Sequence, residues 1–204
     1  MGKSSLILGI TGSIASGKSL VAGEFARRGA ALVSADQLAR EVVTPGRPEL
    51  VRLVERFGRE ILAEDGSLDR DAVARIVFAD ERARTDMNQI VHPAIGRLAL
   101  KQLRELAQSS VPLVVYEAPL LFEAGAEKRV DKVLVVKVDP QIQLQRLIAR
   151  DGLTPADALR RVAAQMSQQE KLARADFVID NSGSVVETVA QVDRLWQVLV
   201  GQAG

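Results

Sequence analysis

Gly12-Ser13-Ile14-Ala15-Ser16-Gly17-Lys18-Ser19 fits the phosphate-binding pattern G-x-x-x-x-G-K-[ST] at every position. It follows an apolar run, Leu6-Ile7-Leu8-Gly9-Ile10, and precedes a helical stretch, the setting in which the pattern has physical meaning. Glycines let the backbone curl until successive N–H groups face one anion. Lys18 can then reach the β- and γ-phosphates, and the Ser19 hydroxyl can ligate Mg²⁺. The helix starting near Lys18 adds the positive end of its dipole. The loop residues Gly12, Ser13, Ala15, Ser16, Gly17, Lys18 and Ser19, with Leu20 at their edge, are therefore read as a nucleoside-triphosphate site. The competing reading, a glycine-rich turn that binds nothing, has the whole strand–loop–helix context against it.

Working outward, 204 residues suit one domain or one core with substantial insertions. Hydrophobic residues make up 47% and charged residues 26%, an ordinary globular balance. Aromatics are only 3%, which disfavours a stacking platform for single-stranded nucleic acid, and a net charge of +1 disfavours a duplex-binding surface. The absence of cysteine excludes disulfides, thiolate nucleophiles and cysteine metal sites. With a single histidine as well, a zinc site is excluded in practice. No apolar run approaches the roughly 20 residues needed to span a bilayer. The N-terminus reads as neither a secretory leader nor, at Met1-Gly2, a myristoylation signal, because Leu6 replaces the required Ser or Thr. The expectation is a cytoplasmic protein without nucleic-acid or membrane partners.

Short β-branched runs alternate with amphipathic segments, predicting an α/β fold with a mainly parallel sheet. Strand candidates are residues 6–10, 31–33, 113–116, 133–138 and 177–179. Most are nearly continuous apolar runs, as expected when helices cover both faces. Between Val33 and Leu113 helical periodicity replaces strand signals, with Leu50, Leu53 and Phe57, then Val73, Ile76 and Val77, then Ile95, Leu98 and Leu103. This predicts a helical insertion at about 36–110, and a second at about 140–174 reads as a lid. The core is left as about 1–35, 111–139 and 175–204. Thr154-Pro155 reads as an N-cap with proline at the first helical position, and His92-Pro93 as a helix start.

Asp36 follows the second strand, at the edge where open α/β sheets bind ligands. It can take or orient an acceptor proton, and it can equally be the N-cap of the next helix. Arg146 and Arg150 share a face of the helix at 141–150, suited to triphosphate oxygens or simply to solvent, while Leu144, Leu147 and Ile148 face the core. Glu117 ends an apolar strand in the manner of a Walker-B acid, a weak signal alone. His92, the lone histidine, reads first as a hydrogen-bonded structural residue.

Several strings, in order and along nearly the whole chain, resemble the dephospho-CoA kinase family. After the P-loop come Ser34-Ala35-Asp36 with Ala39-Arg40, Pro45-Gly46, Phe57-Gly58, Gly66-Ser67-Leu68-Asp69-Arg70, Val77-Phe78 and His92-Pro93. Pro119-Leu120-Leu121-Phe122-Glu123, Gln143-Leu144-Gln145-Arg146-Leu147, Arg161 with Gln165, and Ala175-Asp176-Phe177-Val178-Ile179-Asp180-Asn181 complete the series. The resemblance implies a P-loop NTPase core with a five-stranded parallel sheet, a helical acceptor-binding insertion and a helical lid. It implies transfer of the ATP γ-phosphate, with Mg²⁺, to the ribose 3′-hydroxyl of dephospho-coenzyme A, the last step of coenzyme A biosynthesis. By the same resemblance Asp36, Lys18 and Arg146 are catalytic, Arg146 as a lid arginine on the phosphates with Arg150 near, and Asn181 lies by the adenine. Arg40, Arg70, His92, Pro119 and Leu120 fall to the acceptor. The sequence does not reveal oligomeric state; a monomer is the expectation.

Two positions depart from the family pattern: Ala15 stands where glycine is usual and Leu20 where threonine is common. An alanine at position 15 is tolerable only if its backbone stays at negative φ, since left-handed geometry costs a non-glycine residue about 1–2 kcal/mol. The rival functions are another small-molecule P-loop kinase, to be separated by the Asp36 region and the long insertion, and a slow ATP-hydrolysing switch.

Overall fold

The computed structural model describes residues 4–201, apart from the Phe78 side chain; the Met1-Gly2 start and the Phe78 half of the Val77-Phe78 string lie outside what is described. In chain order the elements are β1 (Ile7–Thr11), α1 (Lys18–Arg27), β2 (Ala31–Ser34), α2 (Ala35–Glu41), α3 (Pro48–Phe57), α4 (Arg70–Ala79) and α5 (Glu81–Ala107). There follow β3 (Val114–Glu117), β4 (Lys132–Lys137), α6 (Pro140–Asp151), α7 (Pro155–Ala163), α8 (Gln168–Leu172), β5 (Phe177–Asp180) and α9 (Val185–Gly201). The chain divides into a sheet unit, residues 1–34 and 102–204, and a helical unit, residues 35–101.

In the sheet unit all five strands pair parallel, in the order β2-β3-β1-β4-β5. The apolar runs explain the choice: Leu8, Ile10, Val115, Leu134 and Val136 point to one face and pack on Val21 and Phe25 of α1 and Val192 and Leu199 of α9. Val114, Tyr116, Val133 and Val135 are buried on the other face, as helix-covered parallel sheets require. The carboxyl ends come together through the register. Ile10 and Ser34 both pair with Glu117, and Thr11 pairs with Val135, so β1, β2 and β3 finish side by side.

The helical unit has its own core of Val42, Val43, Leu53, Phe57, Ile61, Val73, Ile90 and Ala94. Asp69 caps α4, accepting from the Asp71 and Ala72 N–H groups. Pro93 does not start a helix: α5 runs through it from Glu81 to Ala107. The proline removes one backbone donor, but Ile90 and Ala94 on either side are buried in the core and hold the helix together. Asp36, similarly, is not an N-cap; it is the second residue inside α2.

Candidate active site

The loop from Gly12 to Gly17 leaves β1 and enters α1 as a tight cradle. At Gly12 an added Cβ would lie 2.4 Å from the Val136 carbonyl oxygen, so only glycine lets the chain cross the end of β4. Gly17 is the N-cap of α1, at φ 87°, with no side chain capping the helix. By contrast α6, α7 and α8 are capped by Asp139, Thr154 and Ser167. The Ala15, Gly17 and Ser19 N–H groups donate to no described residue. Donors left open at a helix head are the local chemistry of an anion site. The Ser13 and Ser16 hydroxyls are also buried without a partner among the described residues.

Ala15 departs from expectation: its φ is 59°, and no other described non-glycine residue is positive. The cause is the turn itself. Ser16 N–H donates to the Ser13 carbonyl at 3.1 Å, so Ile14 and Ala15 are its central residues, and a positive φ at the second of them makes it type II.

Side chains from distant segments brace the cradle. Lys18 is buried and its Nζ donates to the Ser13 carbonyl at 3.1 Å. Ser19 Oγ donates to Glu117 Oε1 at 2.7 Å, joining the residue read as the Mg²⁺ ligand to the acid that ends β3. Asn181, 4% exposed, donates from Nδ2 to the Ser16 carbonyl at 2.8 Å and accepts from Thr188 Oγ1 at 2.8 Å. Arg146 Nη1 donates to the Asn181 carbonyl at 2.9 Å, so Asn181 links α6 to the loop. Arg150 turns elsewhere: it pairs with Asp151, which also takes Arg161. Its hydrogen bond to Asp151 raises the Arg150 pKa, and the same bond holds the Asp151 carboxyl below its ordinary value. Burial pushes the Asp180 carboxyl up, but bonds from Ser182 and Lys137 outweigh it and leave it low, so it stays ionised beside Asn181. Leu20 lies in the first turn of α1.

Pro119 follows β3, and its carbonyl accepts from Thr11 Oγ1 at 3.2 Å and from Lys171 Nζ at 3.1 Å. Lys171 is fully buried and pairs with Glu123 at 2.9 Å. Leu120 beside it is 44% exposed. The other residues read as acceptor-binding belong to the helical unit. Asp36 and Arg40 are exposed on α2, four residues apart. Exposed Arg70 opens α4 and, with Ala39, Val43, Met87 and Val91, lines a cavity of about 260 Å³. His92 is exposed in the middle of α5.

Four residues escaped the sequence reading: Gln143, Gln165, Glu123 and Lys171. Buried Gln143 donates to the Ile14 carbonyl at 2.8 Å, and Gln165 accepts from the Ile14 N–H at 2.8 Å. Only the order of the strings containing Gln143, Gln165 and Glu123 pointed at them; nothing pointed at Lys171.

Gly17→Ala tests the cradle. The new Cβ would lie 2.0 Å from Asn181 Nδ2, at a φ that alanine tolerates poorly. Loss of about 1–2 kcal/mol of stability is expected from backbone strain alone, with nucleotide affinity down about tenfold or more. Thermal melting and equilibrium nucleotide binding read both; wild-type values in each would contradict this account of the loop.

The family model described as dephospho-CoA kinase matches residues 6–187. A dephospho-CoA kinase of Syntrophotalea carbinolica is 54% identical over 96% of this chain and 92% of its own. That of Geobacter sulfurreducens is 50% identical over 93% and 96%. The solved dephospho-CoA kinase of Campylobacter jejuni superposes with a TM-score of 0.75 at 29% identity, over 96% of this chain and 98% of that one. A shikimate kinase of Acinetobacter baumannii, at 12% identity and a TM-score of 0.56, shares the fold alone. With a cradle of open amides at one end of a five-stranded parallel sheet and a family match along almost its whole length, the chain belongs to the dephospho-CoA kinase family.

Proposed function

We propose that the chain transfers the γ-phosphate of ATP to the ribose 3′-hydroxyl of dephospho-coenzyme A, giving coenzyme A and ADP. ATP as the donor is carried by the open cradle, whose Ala15, Gly17 and Ser19 amides at an uncapped helix head have no partner among the described residues, and dephospho-coenzyme A as the acceptor by the family match along residues 6–187. These amides and Lys18 hold the phosphates. Arg146 has guanidinium donors beyond its bond to Asn181, and these meet the charge on the transferring group. Gly12, Ser13, Ser16 and Leu20 shape the loop, and Asn181 keeps its adenine-side position on the strength of the resemblance.

Mg²⁺ enters with ATP as part of the substrate. Ser19 Oγ and the Glu117 carboxylate are hard oxygen donors of the type it takes, and the described residues contain no cluster of three or more His, Cys, Asp or Glu that could hold a metal independently. When bound, the ion neutralises charge on the β- and γ-oxygens.

Asp36 orients the acceptor hydroxyl for in-line attack, an assignment supported by its place two residues beyond β2 and its exposed carboxylate. Arg40, Arg70, His92, Pro119 and Leu120 bind the acceptor. Residues 140–174 form the lid, with Arg146 and Arg150 on its first helix, and residues 36–110 form the acceptor insertion. Among the described residues no helix is long and apolar enough to cross a membrane. A cytoplasmic, monomeric enzyme without nucleic-acid partners completes the reading.

The test is conversion of ATP to ADP with Mg²⁺, with and without dephospho-coenzyme A, and product identification by mass. ADP formed in step with a product heavier by one phosphoryl group is expected. ADP release indifferent to the acceptor would overturn the transfer.

A further inference from the structure

The turn at residues 13–16 has two forms that share the Ser16-to-Ser13 hydrogen bond. Type I and type II differ by a half-rotation of the central peptide, here the one joining Ile14 to Ala15. Type I leaves the second central residue at negative φ, which alanine prefers; type II demands positive φ, which alanine resists. Left to local preference, Ser13-Ile14-Ala15-Ser16 is a type I turn. The protein shows type II.

Gln143 holds the carbonyl of that central peptide. Its side chain is 5% exposed on α6, and Nε2 donates to the Ile14 carbonyl at 2.8 Å. The peptide is trans, so its N–H points opposite to its carbonyl. Fixing the Ile14 carbonyl toward α6 therefore aims the Ala15 N–H away from α6, where no described residue accepts it. Gln165 takes the adjacent Ile14 N–H at 2.8 Å, so both polar groups of residue 14 are held by glutamines. Half a rotation would turn the Ile14 carbonyl toward the position the amide now occupies, putting a partial negative charge where phosphate oxygens are to bind. It would also break the bond to Gln143 and leave a buried amide unsatisfied.

We propose that Gln143 is a positioning residue that selects the type II turn and thereby presents the Ala15 amide to the nucleotide phosphates. This rests on the reading of the loop as the ATP site.

The experiment is a double-mutant cycle read by MgATP affinity. Gln143→Met keeps the length of the side chain without its donor, and Gln143→Ala provides a second removal. Each is made alone and together with Ala15→Gly, which abolishes the left-handed penalty. Expected are a rise of about tenfold in the MgATP dissociation constant for the Gln143 variants, in line with an unsatisfied buried partner, and a KM for dephospho-coenzyme A that stays within about twofold of wild type. In the Ala15→Gly background the same replacements should cost about fivefold less, matching removal of the αL penalty. A role in folding alone would lower the melting temperature with unchanged MgATP affinity, which overturns the proposal. So does an equal loss of affinity in both backgrounds. Wild-type protein that binds no MgATP would refute the ATP site itself; normal wild-type binding with no effect of Gln143 would refute only the inference.

Discussion

Asp36→Asn is expected to lower kcat by about 10²–10⁴-fold, the share a general base ordinarily contributes, with MgATP affinity within a few-fold of wild type. The substitution keeps shape and removes charge. Asp36 is exposed, sits inside α2 rather than at its cap, and accepts no hydrogen bond from a described residue. A surface change of that kind alters stability by about 0.5 kcal/mol or less. The alternative from sequence, a helix-capping aspartate, makes the opposite forecast: activity retained and about 0.5–2 kcal/mol of stability lost. Turnover and melting temperature measured together separate the two, and wild-type kcat would remove Asp36 from the chemistry.

What the sequence disclosed follows physical range. Apolar runs placed all five strands within one or two residues: burial on both faces makes β1, β3 and β4 nearly continuous apolar runs, and the edge strands β2 and β5 keep short apolar runs although Leu32 and Val178 are exposed. The P-loop was legible because its residues are contiguous. Partners that lie far apart in sequence were not. Glu117 looked like any acid at a strand end until the order β2-β3-β1 and the Ile10–Glu117 register set it against Ser19, 98 positions away.

On α6, periodicity directed attention to Leu144, Leu147 and Ile148. Only Leu147 is fully buried, and the polar Gln143 is buried with it to serve the Ile14 carbonyl. A pattern built on hydrophobicity cannot announce a polar residue buried for its donor. The Ala15 reading failed for a related reason. Intrinsic preference gave negative φ, while hydrogen bonds from elsewhere in the chain hold the opposite. Pro93 failed as punctuation because core burial of Ile90 and Ala94 sustains α5 through the missing donor.

Lys18→Ala should produce a different failure from Asp36→Asn, with nucleotide affinity and turnover falling together. The Lys18 side chain is buried within the loop and held against the Ser13 carbonyl, so its position is set before any nucleotide arrives. Such a preorganised cation needs no rearrangement to meet charge that grows on the phosphates, and removing one electrostatic group of this kind costs about 10²–10³-fold in kcat. Its charge also acts on bound ATP in the ground state, so the MgATP dissociation constant should rise by at least about tenfold. Lys18→Arg separates charge from fit: the positive charge is restored, but a planar guanidinium cannot occupy the ammonium position, so recovery should be partial at most. Binding and single-turnover rates measured on all three proteins give the comparison. An alanine variant that binds MgATP as wild type and loses only turnover would confine Lys18 to the transition state. One unchanged in both would contradict the phosphate site, since no open amide in the cradle carries the full positive charge that the ammonium supplies.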